Sequence, residues 1–211
     1  MAGLAAAAIT VAPSATLLEN DQVKTVLALE KPHVKGKFHE HKLNRVMIYL
    51  QAGRQRFEYQ DGRKPAVFDY KAGEVKWSLA EGMHSPEVIS NEPFNIIEVE
   101  LKKPGTGKKI TTKLDPTKID PKHVKVELEN DQVRVIRARI GPHESVPMHE
   151  HTLNRVAVYL TNQNIRSTGA DGKATVMQHK AGEVSWGAPL THKEENLNDT
   201  PFEVVVVEIK D

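Results

Sequence analysis

The 211-residue chain has no cysteine. That absence excludes a disulfide framework, thiolate metal ligands and a cysteine nucleophile, and it leaves the redox compartment open. Neither sign of charge is in excess, with 29 Lys and Arg against 28 Asp and Glu, so the chain lacks the basic footprint of a nucleic-acid binder. No apolar run approaches the roughly 18 residues of a membrane span. Neither a nucleic-acid nor a membrane partner is therefore expected. Also missing are an i, i+3, i+4, i+7 apolar stripe, a Gly-rich phosphate loop, a Ser-His-Asp order and a dinucleotide fingerprint. The Ala-rich start ends in Ala12-x-x-Ala15, similar to a small-residue cleavage site, but no Lys or Arg precedes it. A plain leading segment and a cytoplasmic location are favoured over export. Histidine, by contrast, occurs ten times.

The chain says almost everything twice. Leu18-Glu19-Asn20-Asp21-Gln22-Val23 returns as Leu128-Glu129-Asn130-Asp131-Gln132-Val133, and Phe38-His39-Glu40-His41 returns as Met148-His149-Glu150-His151, both at an offset of 110. Lys71-Ala72-Gly73-Glu74-Val75-x-Trp77 becomes Lys180-Ala181-Gly182-Glu183-Val184-x-Trp186 at 109, and His84-x-x-Glu87 becomes His192-x-x-Glu195 at 108. Two single-residue deletions in loops account for the drift. This pattern is a tandem duplication, with an N-terminal unit at residues 1–101, a linker and lead-in strand at 102–123, and a C-terminal unit at 124–211. Lys102-Lys103-Pro104-Gly105-Thr106-Gly107 reads as the linker, because Pro and Gly punctuate it.

Each unit consists of short β-branched runs. In the first they are Val23–Leu29, Val46–Leu50, Val67–Tyr70, Val88–Ser90 and Ile96–Leu101, and in the second Val133–Ile140, Val156–Thr161, Thr175–Gln178 and Glu203–Ile209. Asp61-Gly62 and Asp171-Gly172 are hairpin turn signals. The class is all-β, with turns at barrel-like spacing.

Side chains at i and i+2 of a strand share a face. His39 with His41, and His149 with His151, therefore project in pairs, as the first two ligands of a transition-metal ion must. A lone His-x-His could equally be polar surface; its repetition and the third histidine of each unit, His84 and His192, favour metal. On the same parity count Arg45 and Arg155 join their pairs on one strand and face the interior. Such an Arg has two readings: capture of a carboxylate or phosphate by its two-pronged donor, or an internal ion pair. His33 and His143 read as hydrogen-bonded loop residues. Trp77 and Trp186 read as core or rim anchors, and Glu87 and Glu195 as rim surface.

These residues resemble the cupin superfamily, and the duplication resembles a bicupin. The family's first motif has His-x-His followed by Glu four positions beyond the second His; His39-x-His41 and His149-x-His151 fit, but Arg45 and Arg155 stand at the Glu position. Its second motif runs Gly, a Pro-containing turn, His, then Asn. Gly182, Pro189, His192 and Asn196 follow that order, while Gly73 and His84 do so without the Pro and with Val88 in place of Asn. The resemblance implies two tandem double-stranded β-helix, jelly-roll-like barrels. Each would hold a divalent transition metal (Fe, Zn, Ni or Mn) on His39, His41 and His84, or on His149, His151 and His192, with Arg45 and Arg155 as substrate-binding residues.

The function expected on that basis is binding of, or action on, a small, carboxylate-bearing molecule, with dioxygenase-like or sugar-acid chemistry as examples. The alternative is a non-catalytic metal or ligand holder, or a storage-type bicupin. Since cupin barrels pair through their outer sheets, a pseudo-twofold monomer or a homodimer is expected.

Overall fold

The computed structural model describes residues 14–211, so the reading of the leading segment lies, for residues 1–13, outside the described residues. The described chain is almost entirely strand. In the first repeat these are β1 (Ser14–Glu19), β2 (Val23–Glu30), β3 (His39–His41), β4 (Arg45–Tyr49), β5 (Gly53–Tyr59), β6 (Ala66–Tyr70), β7 (Val75–Ser78), β8 (Glu81–Val88) and β9 (Phe94–Leu101). One short helix, α1 (Pro116–Ile119), follows. The second repeat has β10 (Val124–Glu129), β11 (Val133–Ile140), β12 (Ser145–His151), β13 (Arg155–Tyr159), β14 (Gln163–Gly169), β15 (Ala174–His179), β16 (Val184–Gly187), β17 (Leu190–Asn196) and β18 (Phe202–Ile209).

The described residues form two compact units, 14–17 with 25–100 and 18–24 with 101–211. Each repeat stacks a five-stranded sheet on a four-stranded one, ordered β1-β2-β9-β4-β7 with β3-β8-β5-β6, and β10-β11-β18-β13-β16 with β12-β17-β14-β15. This is the expected jelly-roll architecture, although neither pair of sheets closes into one continuous barrel. The duplication read from the sequence is thus a duplication of topology, strand for strand.

The core of each repeat lies between its two sheets. In the first, Met47, Tyr49, Tyr70, Val88, Phe94 and Ile96 pack together; in the second, Val124, Ile136, Val146, Tyr159, Ile165 and Phe202 do so. Each fully buried Val, Ile or Phe side chain contributes about 1.5–3 kcal/mol, so Phe94 and Phe202, both within 1% of complete burial, anchor the ends of their cores. Strands β4 and β18 are buried on both faces, as their central apolar runs, residues 46–49 and 204–207, require.

Local chemistry explains the turns. Asp61-Gly62 and Asp171-Gly172 close the β5–β6 and β14–β15 hairpins, with Gly62 and Gly172 at φ +85° and +79°. His33 and His143 follow prolines in tight turns at φ 57° and 56°, the left-handed second position of a type II turn. Their Nε2 atoms bond to Asn91 at 3.0 Å and Asp199 at 2.8 Å, so both are loop histidines tied to loop partners.

Three sequence expectations need correction. The run Val88–Ser90 is only the end of a strand that begins at Glu81; its polar composition hid it. The stretch before β10 holds no lead-in strand but the single turn α1, capped by Asp115, whose carboxylate accepts the Thr117 N–H at 3.1 Å. Most important, Arg45 and Arg155 do not share a strand with their histidines. Residues 42–44 and 152–154 leave the ladder, and each Arg opens a new strand in the opposite sheet.

An ion cluster follows α1. His123, with a side chain 10% exposed, bonds Asp120 through Nδ1 at 2.6 Å and Glu144 through Nε2 at 2.9 Å. Burial alone would lower this imidazole's pKa, but the hydrogen bonds to Asp120 and Glu144 outweigh it and the net shift is upward. A raised folded-state pKa contributes stability that is complete below the unfolded value near 6.5 and is lost as pH rises through the folded value. We therefore expect unfolding curves of the wild-type chain to lose stability relative to His123→Gln as pH rises above about 6.5. Parallel pH dependences in the two proteins would refute the assignment.

Candidate metal centres

Strand pairing assembles each triad. His149 and His151 alternate along β12 on one face, and antiparallel register sets His149 directly opposite His192 on β17. In the first repeat His39 pairs with His84 across β3 and β8. The sheet irregularity within β12 falls before His149, and that within β3 falls between His39 and His41, a common way to re-aim side chains beside a site. In each triad one ring nitrogen per residue lies within 4.8 Å of the other two. Ring centroids are 4.4–5.6 Å apart in the second triad and 4.7–5.2 Å in the first.

The outward nitrogens are tied down. His149 Nδ1 bonds Pro147 O at 2.8 Å, His151 Nδ1 bonds Glu208 Oε1 at 2.9 Å, and His192 Nδ1 bonds Ser167 Oγ at 3.0 Å. In the first triad His39 Nδ1 bonds Lys37 O at 2.9 Å and His84 Nδ1 bonds Gly82 O at 3.2 Å. Each such bond fixes the ring and leaves Nε2 as the inward donor, the arrangement that surrounds metal-binding histidines. His192 Nε2 is buried and has no hydrogen-bond partner, an atom that folding leaves unsatisfied unless something binds it.

Electrostatics favour the same use. Burial holds His149 and His151 below the usual imidazole range, and drives His192 down to about 2. In the first repeat burial, helped by Arg45, lowers His41 to about 3, and burial lowers His84 as well. These rings are neutral at pH 7, with lone pairs free to coordinate. Three neutral imidazoles fit a divalent transition ion rather than Mg or Ca.

The two arginines reach their cavities from the opposite sheet and end differently. Arg45, 4% exposed, lies 3.2 Å from Glu98 on β9 and bonds the sulfur of Met47 at 3.1 Å, with Nη1 left unpartnered. Arg155 donates to Ala188 O at 2.5 Å and, among the described residues, makes no ion pair. A Cβ at Gly187 would sit 2.8 Å from its Cζ, so this glycine gives the guanidinium its place. Ser78 pairs with Arg45 at the matching register, which closes that route.

Carboxyl groups line both cavities, Glu30, Glu81 and Glu98 the first and Glu194 the second. Burial pushes Glu98 up to about 7 against the pull of Arg45, and pushes Glu194 up to about 7 against Arg155. Neither was singled out in the sequence, because Glu98 and Glu194 come from non-equivalent strands, β9 and β17. The first cavity measures about 200 Å³ and the second about 450 Å³. Trp77 and Trp186 line them. Glu87 and Glu195 instead form ion pairs with Arg56 and Arg166.

Asn196, four residues past His192, has a structural task. It is fully buried, and its Nδ2 donates to the carbonyls of Ile140, Gly141 and Thr200 at 2.9–3.1 Å. No helix among the described residues is long and apolar enough to cross a membrane.

No protein-family model matches the sequence, and no curated protein sequence does. Solved structures do. AerE from Microcystis aeruginosa superposes with a TM-score of 0.64 at 14% identity, over 95% of this chain and 98% of that one. A cupin 2 conserved barrel domain protein from Leptotrichia buccalis gives 0.57 at 14% identity, covering 98% and 93%. Oxalate decarboxylase from Bacillus subtilis gives 0.64 at 14% identity, covering 94% and 71%. At these identities the likeness concerns the fold. The chain has the fold of the cupin superfamily in its duplicated, bicupin form.

Proposed function

We propose that the second unit is a metal-dependent centre in which His149, His151 and His192 hold a divalent transition ion beside a small, carboxylate-bearing molecule held by Arg155. The observation that carries this reading is the unpartnered, buried Nε2 of His192 within a triad whose outward nitrogens are all engaged. When bound, such an ion supplies Lewis acidity and open positions for a ligand. Arg155 is half-buried and free of a carboxylate partner among the described residues, so it can meet an anion with a charge-assisted, two-pronged bond. Glu194, raised to about 7, can hold a proton at its carboxyl and accept one near neutral pH.

The first unit supports a different reading. His39, His41 and His84 form a comparable ligand set, but Arg45 is already engaged by Glu98. We assign it a metal-holding role without anion capture. Candidate ions are Fe, Zn, Ni and Mn; the named Mn(II) centres of the Bacillus subtilis oxalate decarboxylase make Mn one to test early.

Elemental analysis of protein purified without a metal-affinity tag tests the proposal. Two ions per chain are expected, with His149→Ala and His39→Ala each removing one. Absence of metal, with none taken up on titration with Zn, Fe, Ni or Mn, would overturn it.

A further inference from the structure

The two cavities share a template and differ at a few inward positions. Strand register equates Met47, Gln55 and Glu98 of the first unit with Ala157, Ile165 and Val206 of the second. By the same register, Phe57 and Phe68 correspond to Ser167 and Met177. The first set fills space and brings polar groups; the second clears space and lines it with aliphatic carbon. At about 200 Å³ the first cavity falls below the range of organic-ligand pockets, roughly 300–1,000 Å³, whereas the second, at about 450 Å³, lies within it.

The lining also limits what the second cavity accepts. Ile136, Val146, Ile165, Met177, Val204 and Val206 give an aliphatic wall, and among the polar lining residues Tyr159 and Ser185 bond each other, Gln163 donates to Glu203 O and Ser167 bonds His192; polar groups buried against such a wall without a partner are costly. Arg155 is the one Lys or Arg among its lining residues. It lies close enough to the triad that its charge helps keep all three imidazoles neutral. On the same face of β13, Ala157 follows it and leaves the adjacent space open.

We propose that the second cavity is specific for monocarboxylic acids with an apolar body, the carboxylate meeting Arg155 beside the triad and the alkyl part lying against Ala157, Ile165 and Val206. This rests on the reading of the second unit as an anion-handling metal centre, but its chain-length dependence does not require the metal. Short dicarboxylates are excluded by the same wall, since their second charge would face aliphatic carbon.

Calorimetric titration of the full chain with acetate, butyrate, hexanoate, 1-hexanol and oxalate tests it. Affinity should rise by up to about fourfold per added methylene, making hexanoate at least tenfold tighter than acetate, with hexanol and oxalate far weaker than hexanoate. Ala157→Met installs the first unit's residue; it should abolish the gain beyond butyrate. Arg155→Met should reduce hexanoate to the level of hexanol. A flat series, oxalate binding tighter than hexanoate, or hexanoate binding both variants as tightly as wild type would overturn the proposal. If no acid binds while metal titrates into the triads, this inference fails and the metal reading stands. If the acids show the expected series and no metal is taken up, the metal reading fails and this inference stands.

Discussion

Replacing Glu208 by alanine is expected to destabilise the chain by about 3 kcal/mol and to weaken metal uptake at His149, His151 and His192 by roughly 10–100-fold. Glu208 is 1% exposed and sits in the middle of a buried chain of charges. One oxygen takes the His151 Nδ1 bond at 2.9 Å, and the other lies 3.4 Å from Arg134 Nη1. Arg134 in turn holds the Asp115 carboxylate at 2.9 and 3.0 Å and donates to Thr117 Oγ1 at 2.7 Å. The residue that caps α1 is thus linked through two charges to a candidate metal ligand.

Removing one member of a buried ion pair strands the other, which costs about 3–5 kcal/mol. Arg134 keeps Asp115, so the lower end applies. Without Glu208, the His151 ring also loses the bond that orients Nε2 inward. Glu208→Gln keeps an oxygen acceptor for Nδ1 and should recover most of the metal affinity while remaining less stable than wild type. Urea unfolding and calorimetric metal titration read the two effects separately. An unchanged denaturant midpoint in Glu208→Ala would refute the stability argument, and unchanged metal affinity would refute the positioning role.

This chain of charges shows where the sequence stops being readable. The His-x-His pairs were legible because their ligands are adjacent and repeated, and the all-β class because β-branched runs and Asp-Gly turns are local signals. The His-bearing strands β3, β8 and β17 were harder to see. Their residues are polar because they face a site, so they carry no apolar alternation. The strand break before Arg45 and Arg155 was hidden because parity counts identically on either side of a crossing between sheets. Asp115, Arg134 and Glu208 are separated by tens of residues, and nothing local joins them. One signal was present: Glu208 interrupts the inward series Phe202, Val204, Val206 on β18, and a carboxylate at an inward position needs a buried partner.

The second large effect divides the two arginines. Glu98→Val gives the first unit the residue that Val206 supplies in the second, and is expected to cost about 3–5 kcal/mol. Arg45 is 4% exposed, its Nη1 already lacks a partner, and Glu98 at 3.2 Å is its carboxylate. Because burial pushes Glu98 up to about 7, wild type loses stability as this carboxyl ionises and Glu98→Val does not, so the measurement belongs near pH 5, where the cost is largest. The double variant Arg45→Met with Glu98→Val removes both charges, and replacing a buried pair by apolar groups is often neutral or stabilising; it should regain wild-type stability or exceed it. Arg155→Met should cost only about 1 kcal/mol, one backbone hydrogen bond, because no carboxylate pairs with it directly and Glu194, which its charge holds down to about 7, can answer the loss by taking up a proton. Gly187→Ser, which copies Ser78 and crowds the guanidinium, should weaken carboxylate binding with a similarly small change in stability. Equal costs for Arg45→Met and Arg155→Met would show that both are structural, and would remove the anion-binding role from Arg155. The expected asymmetry would mean that one duplicated arginine serves the fold of its unit while the other is left free to meet a ligand.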